Sequence, residues 1–214
     1  PLVRVALLKE ANTIRCTTSE NYRLVYLQGE RLLEVSGPGD KWQFEYVNGL
    51  LRVSKNSVTL GEFGGPLAFK ATGHTLYLAS GITGLDGVQR CVADDLVVSN
   101  SKGRMEKLDM GKGVYVRDSR GLHEIAPTSN LNLFSLGFEG IKKYRGNMYF
   151  YPEARGITLV NELNVEDYLY GVIPNEMPSE WPLEALKAQA VASRSYLLAE
   201  KAKNQYNYYD LLAT

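Results

Sequence analysis

The sequence predicts an α+β protein: a long, mostly antiparallel β region, then one short helix and one long, buried C-terminal helix. Three observations carry this. Apolar residues alternate with period two from Leu2 to about Ser80, turn residues separate the alternating runs, and a helical stripe of useful length begins only at Pro182. The chain of 214 residues is long enough for one large domain or two small ones.

The first strands are read at Val3 to Leu7, Thr13 to Thr17 and Tyr22 to Tyr26. Trp42 to Val47 follows, and Asn48-Gly49 behind it is a hairpin turn signal, because both residues tolerate the positive φ that such turns need. Later strands fall at Pro66 to Ala71 and Thr75 to Ser80, punctuated by Gly64-Gly65-Pro66 and Thr83-Gly84. Residues 1–84 are thus a β-rich N-terminal part. From Leu85 to Ala126 the pattern weakens, with strands at Leu96 to Ser99, Gly113 to Arg117 and Leu122 to Ile125 and an exposed polar loop from Asn100 to Arg104. Residues 85–130 are read as an inserted β subdomain.

Residues 131–214 form a core segment in which the pattern sharpens. Tyr144 to Tyr151 and Gly156 to Leu163 are read as two strands joined by a short loop, Pro152 to Arg155. The second leads to Asn164, a good N-cap, with Asp167 three residues on in the place of a capping-box acid. A short helix from Val165 to Tyr170 is expected to end at Gly171. Pro174 and Pro178 then bracket a loop carrying Glu176. Pro182 opens the long helix, which runs to about Lys203. Leu183, Leu186, Ala190, Val191, Leu197 and Leu198 form one broad stripe on it, and alanines occupy the other side, the composition of a helix surrounded by protein.

Two cations interrupt that stripe. Lys187 lies near the helix start and can extend to solvent. Arg194 lies mid-helix among apolar neighbours, where an unpaired guanidinium is costly, so it is expected to meet a carboxylate or backbone carbonyls. Glu176 has two readings: a loop acid that favours helix amides, or a reactive carboxyl on a rigid loop. Trp181, Tyr168 and Tyr170 offer flat faces for a sugar ring or for packing.

Composition excludes several classes. Lys plus Arg and Asp plus Glu both number 24, so net charge gives no drive toward nucleic acid or acidic membranes. No apolar run approaches the roughly 18 residues of a spanning helix. His74 and His123 are far apart and the familiar zinc spacings are absent, so neither a metal nor another cofactor is expected. Nucleotide-binding glycine loops and serine-nucleophile motifs are absent as well. Cys16 and Cys91 are read either as two buried thiols or as one long-range disulfide.

The stretch VNELNVEDYLYGVIPNEMPSEWPLEALKAQAVASRSYLL resembles the stage II sporulation protein D family, which includes the amidase enhancer proteins. The resemblance rests on Glu166 to Val172, on Glu176-Met177-Pro178 and on Glu184 to Tyr196, with Tyr144-Arg145-Gly146 upstream. It implies a lytic transglycosylase that cleaves denuded peptidoglycan glycan strands in sporulation, germination or wall remodelling. It equally admits a non-catalytic amidase enhancer that binds the wall. Glu176 is implied as the catalytic acid and Arg194 as a residue lining the site, with Lys187, Trp181 and Tyr170 as further substrate contacts. One acid suffices: it protonates the glycosidic oxygen, then takes the proton of the muramyl 6-hydroxyl as that oxygen closes on C1. This chemistry asks for a partly buried carboxyl. The implied partners are glycan strands and a wall amidase, with no nucleic acid. The implied location is extracytoplasmic, with membrane attachment only through an anchor outside this chain. Family members continue past the position of Thr214, so the resemblance also implies that the family domain is truncated here.

Overall fold

The structure, a computed structural model, describes residues 2–19, 22–71, 74–78, 89–93, 97–99, 102–107, 114–118, 121–125, 133–139, 142–204 and 208–213, with side chains at 74–125 described only for 102–104. The chain divides into two compact units, residues 1–71 with 133–214, and residues 72–132. The first unit begins with β1 (Leu2–Ala11), β2 (Thr13–Thr18), β3 (Tyr22–Tyr26), β4 (Arg31–Ser36), β5 (Lys41–Val47), β6 (Leu50–Lys55), β7 (Val58–Phe63) and β8 (Leu67–Ala71). The second unit holds three antiparallel pairs: β9 (His74–Leu78) with β10 (Gln89–Ala93), β11 (Val97–Ser99) with β12 (Met105–Lys107), and β13 (Val114–Asp118) with β14 (Gly121–Ile125). Of the expected polar loop, 102–104 is described and is exposed, and the remainder lies outside the described residues. So do the turn at Thr83-Gly84 and the ends of the strands expected at Ser80, Leu96 and Gly113. The chain returns to the first unit with β15 (Phe134–Leu136), β16 (Lys142–Tyr144), β17 (Asn147–Glu153), β18 (Gly156–Asn164), α1 (Val165–Glu176), α2 (Leu183–Lys203) and β19 (Leu211–Leu212).

Two sheets face each other in the first unit. One has the order β19-β1-β18-β17-β8-β3-β4, antiparallel except for β19 beside β1, and the other the order β16-β15-β2-β5-β6-β7. Alternation aims Trp42 and Phe44 of one sheet at Phe69 and Phe150 of the other, and all four are fully buried. Phe44 stacks on Phe150 with centroids 3.8 Å apart, and Trp42 meets Phe69 edge-on at 4.9 Å. Cys16 is buried in this core as a free thiol, and burial pushes its pKa well up. The Asn48-Gly49 turn joins β5 to β6 with φ of 51° and 85°, as its composition requires.

Near the functional segment the strands differ from the alternation-based reading. The expected single strand Tyr144 to Tyr151 is divided: β16 belongs to one sheet, β17 to the other, and the chain crosses between them at Arg145-Gly146. Gly146 makes this possible. Its φ is +86°, and a Cβ there would collide with the Glu162 carbonyl oxygen and lie 2.8 Å from the Leu163 Cβ. The buried Asn161 amide holds the crossing by donating to the carbonyls of Arg145 at 2.7 Å and Asn147 at 3.2 Å. The loop expected at Pro152 to Arg155 shrinks to Ala154-Arg155, because Pro152 and Glu153 stay paired with β18.

Gly146→Ala is expected to destabilise the protein by about 2–3 kcal/mol in urea unfolding, through strain at positive φ and the collision. Gly171→Ala, inside α1 with open space around it, is expected to be neutral or stabilising by up to about 1 kcal/mol. Equal effects at the two positions would contradict this account of the crossing.

Candidate active site

β18 runs directly into α1. Asn164 keeps extended backbone and its side-chain oxygen accepts from the Glu166 N–H at 3.0 Å, the expected N-cap. Asp167 does not complete a capping box. Its carboxylate accepts from Arg145 Nη1 at 3.0 Å, and the same guanidinium lies 5.8 Å from the centre of the Tyr170 ring. Glu166 and Asp167 are adjacent and so diverge by ~100° around the helix. Glu166 turns the other way, to Arg194 of α2. Beneath them Val165 and Leu169 pack with Val3, Val5, Leu163 and Leu197.

The helix expected to stop at Gly171 continues to Glu176, with Pro174 inside it. Proline removes one N–H, the one that would reach the Tyr170 carbonyl, and the last turn is held by other bonds. The Asn175 side-chain amide donates to the Gly171 carbonyl at 2.7 Å, and the Met177 N–H donates to Ile173 at 2.9 Å. Glu176 is therefore the last residue of α1 rather than a member of a loop ahead of α2. Its side chain is exposed where partial burial was expected, and among the described residues it makes no hydrogen bond or ion pair. It lies within electrostatic reach of Tyr168, whose hydroxyl is held above its ordinary pKa first by burial, then by the negative fields of Glu176 and Tyr196.

A short connection, 177–182, returns the chain into α2, with Pro182 as its N-cap. Arg194 donates through Nε and Nη2 to the two Glu166 carboxylate oxygens at 3.0 and 2.8 Å, a bidentate pair. Glu166 lies ten residues before the end of α1 and Arg194 eleven after the start of α2. These are rises of about 15 and 16 Å, so the helices form an antiparallel hairpin closed by this pair. The hydrogen bond from Arg194 holds the Glu166 carboxyl below the ordinary carboxylate range and raises the guanidinium in turn.

α2 is not the buried helix its composition suggests. Leu197 alone is fully covered, while Leu183, Val191 and Leu198 are exposed, because α1 covers only the part of the broad stripe nearest to it. After α2, Asp210 anchors the chain to β1. Its buried carboxylate accepts from the Arg4 N–H at 2.8 Å and from Arg4 Nη2 at 3.3 Å.

The structure thus groups Glu176 and Trp181 around the connection, with Lys187 just inside α2, exposed and paired with Glu184 at 2.8 Å. Arg194 is not beside Glu176: it sits at the opposite end of the hairpin. Tyr170 is exposed on the Arg145 side of α1. Sequence reasoning missed Arg145 as the partner of Asp167 and Glu166 as the partner of Arg194. The second had a signal, since a mid-helix arginine requires an acid at the mirrored position of a hairpin. Among the described residues no group of three or more His, Cys, Asp or Glu side chains could hold a metal ion, and no helix is long and apolar enough to cross a membrane.

The site is a β sandwich presenting a helical hairpin whose Glu176 makes no hydrogen bond or ion pair among the described residues, and known proteins share part of this segment. The family described as Stage II sporulation protein (SpoIID) matches residues 153–214. An uncharacterized protein of Brachyspira hyodysenteriae is 52% identical over 62 residues, which cover 29% of this chain and 17% of that protein. The amidase enhancer of Bacillus subtilis is 66% identical over 32 residues, 15% of this chain and 4% of its own length. The chain therefore spans only a small part of these relatives. No solved structure matches. The similarity to the stage II sporulation protein family thus falls on the segment that forms β18, α1, α2 and β19.

The ion pair gives a pH expectation. Because the Glu166 carboxyl is depressed in the folded state, its stabilising contribution is present above the unfolded pKa and is lost as pH falls through the folded one. Side-chain carbon NMR is expected to show Glu166 titrating below the ordinary range and moving up in Arg194→Gln. An unchanged Glu166 curve in that variant would contradict the bidentate pair.

Proposed function

We propose that the protein acts on the bacterial cell wall as a lytic transglycosylase, cleaving between N-acetylmuramic acid and N-acetylglucosamine in glycan strands. The observation that carries this reading is the position of Glu176: exposed at the end of α1, with no hydrogen bond or ion pair among the described residues and with the Trp181 ring exposed on the adjoining connection. A carboxyl that both gives and takes a proton must be open to the ligand, and in this reading the bound glycan supplies the partial burial that keeps it protonated. With Arg194 committed to Glu166, no guanidinium among the described residues pairs with this acid.

In the reaction the Glu176 carboxyl gives its proton to the glycosidic oxygen as that oxygen leaves C1. The carboxylate then removes the proton of the muramyl 6-hydroxyl while O6 bonds to C1. The products are a free 4-hydroxyl and a 1,6-anhydro end, the acid is regenerated, and water is not consumed. A second carboxylate is unnecessary, which suits a site where the nearest acids of α1, Glu166 and Asp167, are engaged with arginines. Exposed Trp181 and Tyr170 offer ring faces to sugars, and Lys187 offers a cation one turn into α2.

A second reading has its own support, since one relative bears the name amidase enhancer. In it the hairpin binds wall polymer and stimulates an amidase without cleaving glycan. Mass spectrometry of denuded strands treated with the full-length protein separates the two. The transglycosylase reading expects anhydromuramyl ends that fall by at least about a thousandfold in Glu176→Gln, the scale of losing an acid that serves both steps. Absence of such ends, with amidase stimulation kept in Glu176→Gln, would select the enhancer.

A further inference from the structure

The bidentate pair between α1 and α2 bears on how long a ligand the hairpin takes. A guanidinium has five N–H donors on a rigid plane, and Glu166 occupies the side made by Nε and Nη2. Among the described residues Arg194 makes no other hydrogen bond, so its outer edge, both Nη1 protons and one on Nη2, is unused. The side chain is still 36% accessible. Charge in the pair is balanced, so that edge suits neutral oxygens such as hydroxyl and acetamido carbonyl groups. A ligand carboxylate there would meet the charge of Glu166. The pair also lies about 15 Å of helix rise from Glu176, farther than one sugar ring spans.

We propose that Glu166 is a positioning residue, holding Arg194 side-on so that its outer edge grips an extended neutral sugar chain at a point remote from Glu176. The proposal rests on reading the hairpin as a glycan site. Arg194 then contributes binding far from the bond that breaks, and Glu166 fixes the direction in which its donors point. A preoriented planar fork is what a lysine cannot supply. The chain held this way spans several sugar units, so the contact is available to long strands and not to a disaccharide.

The test is kinetics and binding of the full-length protein with glycan strands of graded length. Glu166→Gln and Arg194→Lys are expected to raise KM for long strands about tenfold, with kcat at saturation within about twofold and the shortest cleaved fragments unaffected. Glu166→Asp, which keeps a carboxylate, is expected to recover part of the loss. The exchanged pair, Glu166→Arg with Arg194→Glu, is expected to regain thermal stability but not the long-strand KM, since the donors then point from the wrong helix. Recovery of KM by the exchange, or equal losses on every length, would reduce the pair to a helix clamp and overturn the proposal. If the wild-type protein yields no anhydro ends, the catalytic reading of Glu176 fails. Strand-binding titrations with the same variants, read for length dependence, then decide the role of Glu166.

Discussion

The placement of the helical hairpin depends on one buried amide. Asn161 lies inside β18, and its two donated bonds hold both sides of the point where the chain changes sheets. A buried amide left without partners costs about 1–3 kcal/mol, so the crossing is specified as well as tolerated. With it held, Arg145 projects from the crossing to the first turn of α1, which begins four residues after Asn161. Strand, crossing and helix start are therefore one unit.

Two neighbouring acids transmit that order. Divergence around the helix sends Asp167 to the sheet crossing and Glu166 to α2, so the first turn of α1 is tied on both flanks by arginines. Surface ion pairs contribute little on average, but bidentate geometry is the exception. The apolar underside of Val165, Leu169 and Leu197 supplies the burial. Among the described residues the far end of the hairpin, with Glu176 and Trp181, has no comparable ties. Rigidity at one end and accessibility at the other are built from the same helix.

Much of the fold was legible in the sequence, because alternation and turn residues are local signals. Trp42 to Val47 with Asn48-Gly49 appears in the structure as a strand and its turn, and the α+β class follows from the same reasoning. What stayed hidden depended on tertiary contacts. Nothing local shows that Tyr144 to Tyr151 must divide between sheets, since the reason is the approach of Glu162 behind Gly146. Gly171 and Pro174 both signal a helix end, yet Asn175 and Met177 sustain another turn and carry Glu176 into the helix. The need of Arg194 for an acid was legible, but its identity required the hairpin. The breadth of the leucine stripe suggested burial all round, and α1 covers only one flank of it.

Cys16 has a practical consequence. Its sulfur is enclosed between the sheets, and burial keeps it in the unreactive thiol form. Alkylating reagents and oxidants reach it only when the sheets separate. The rate at which this one position becomes labelled under native conditions is a direct clock for opening of the sandwich, and it needs no added probe.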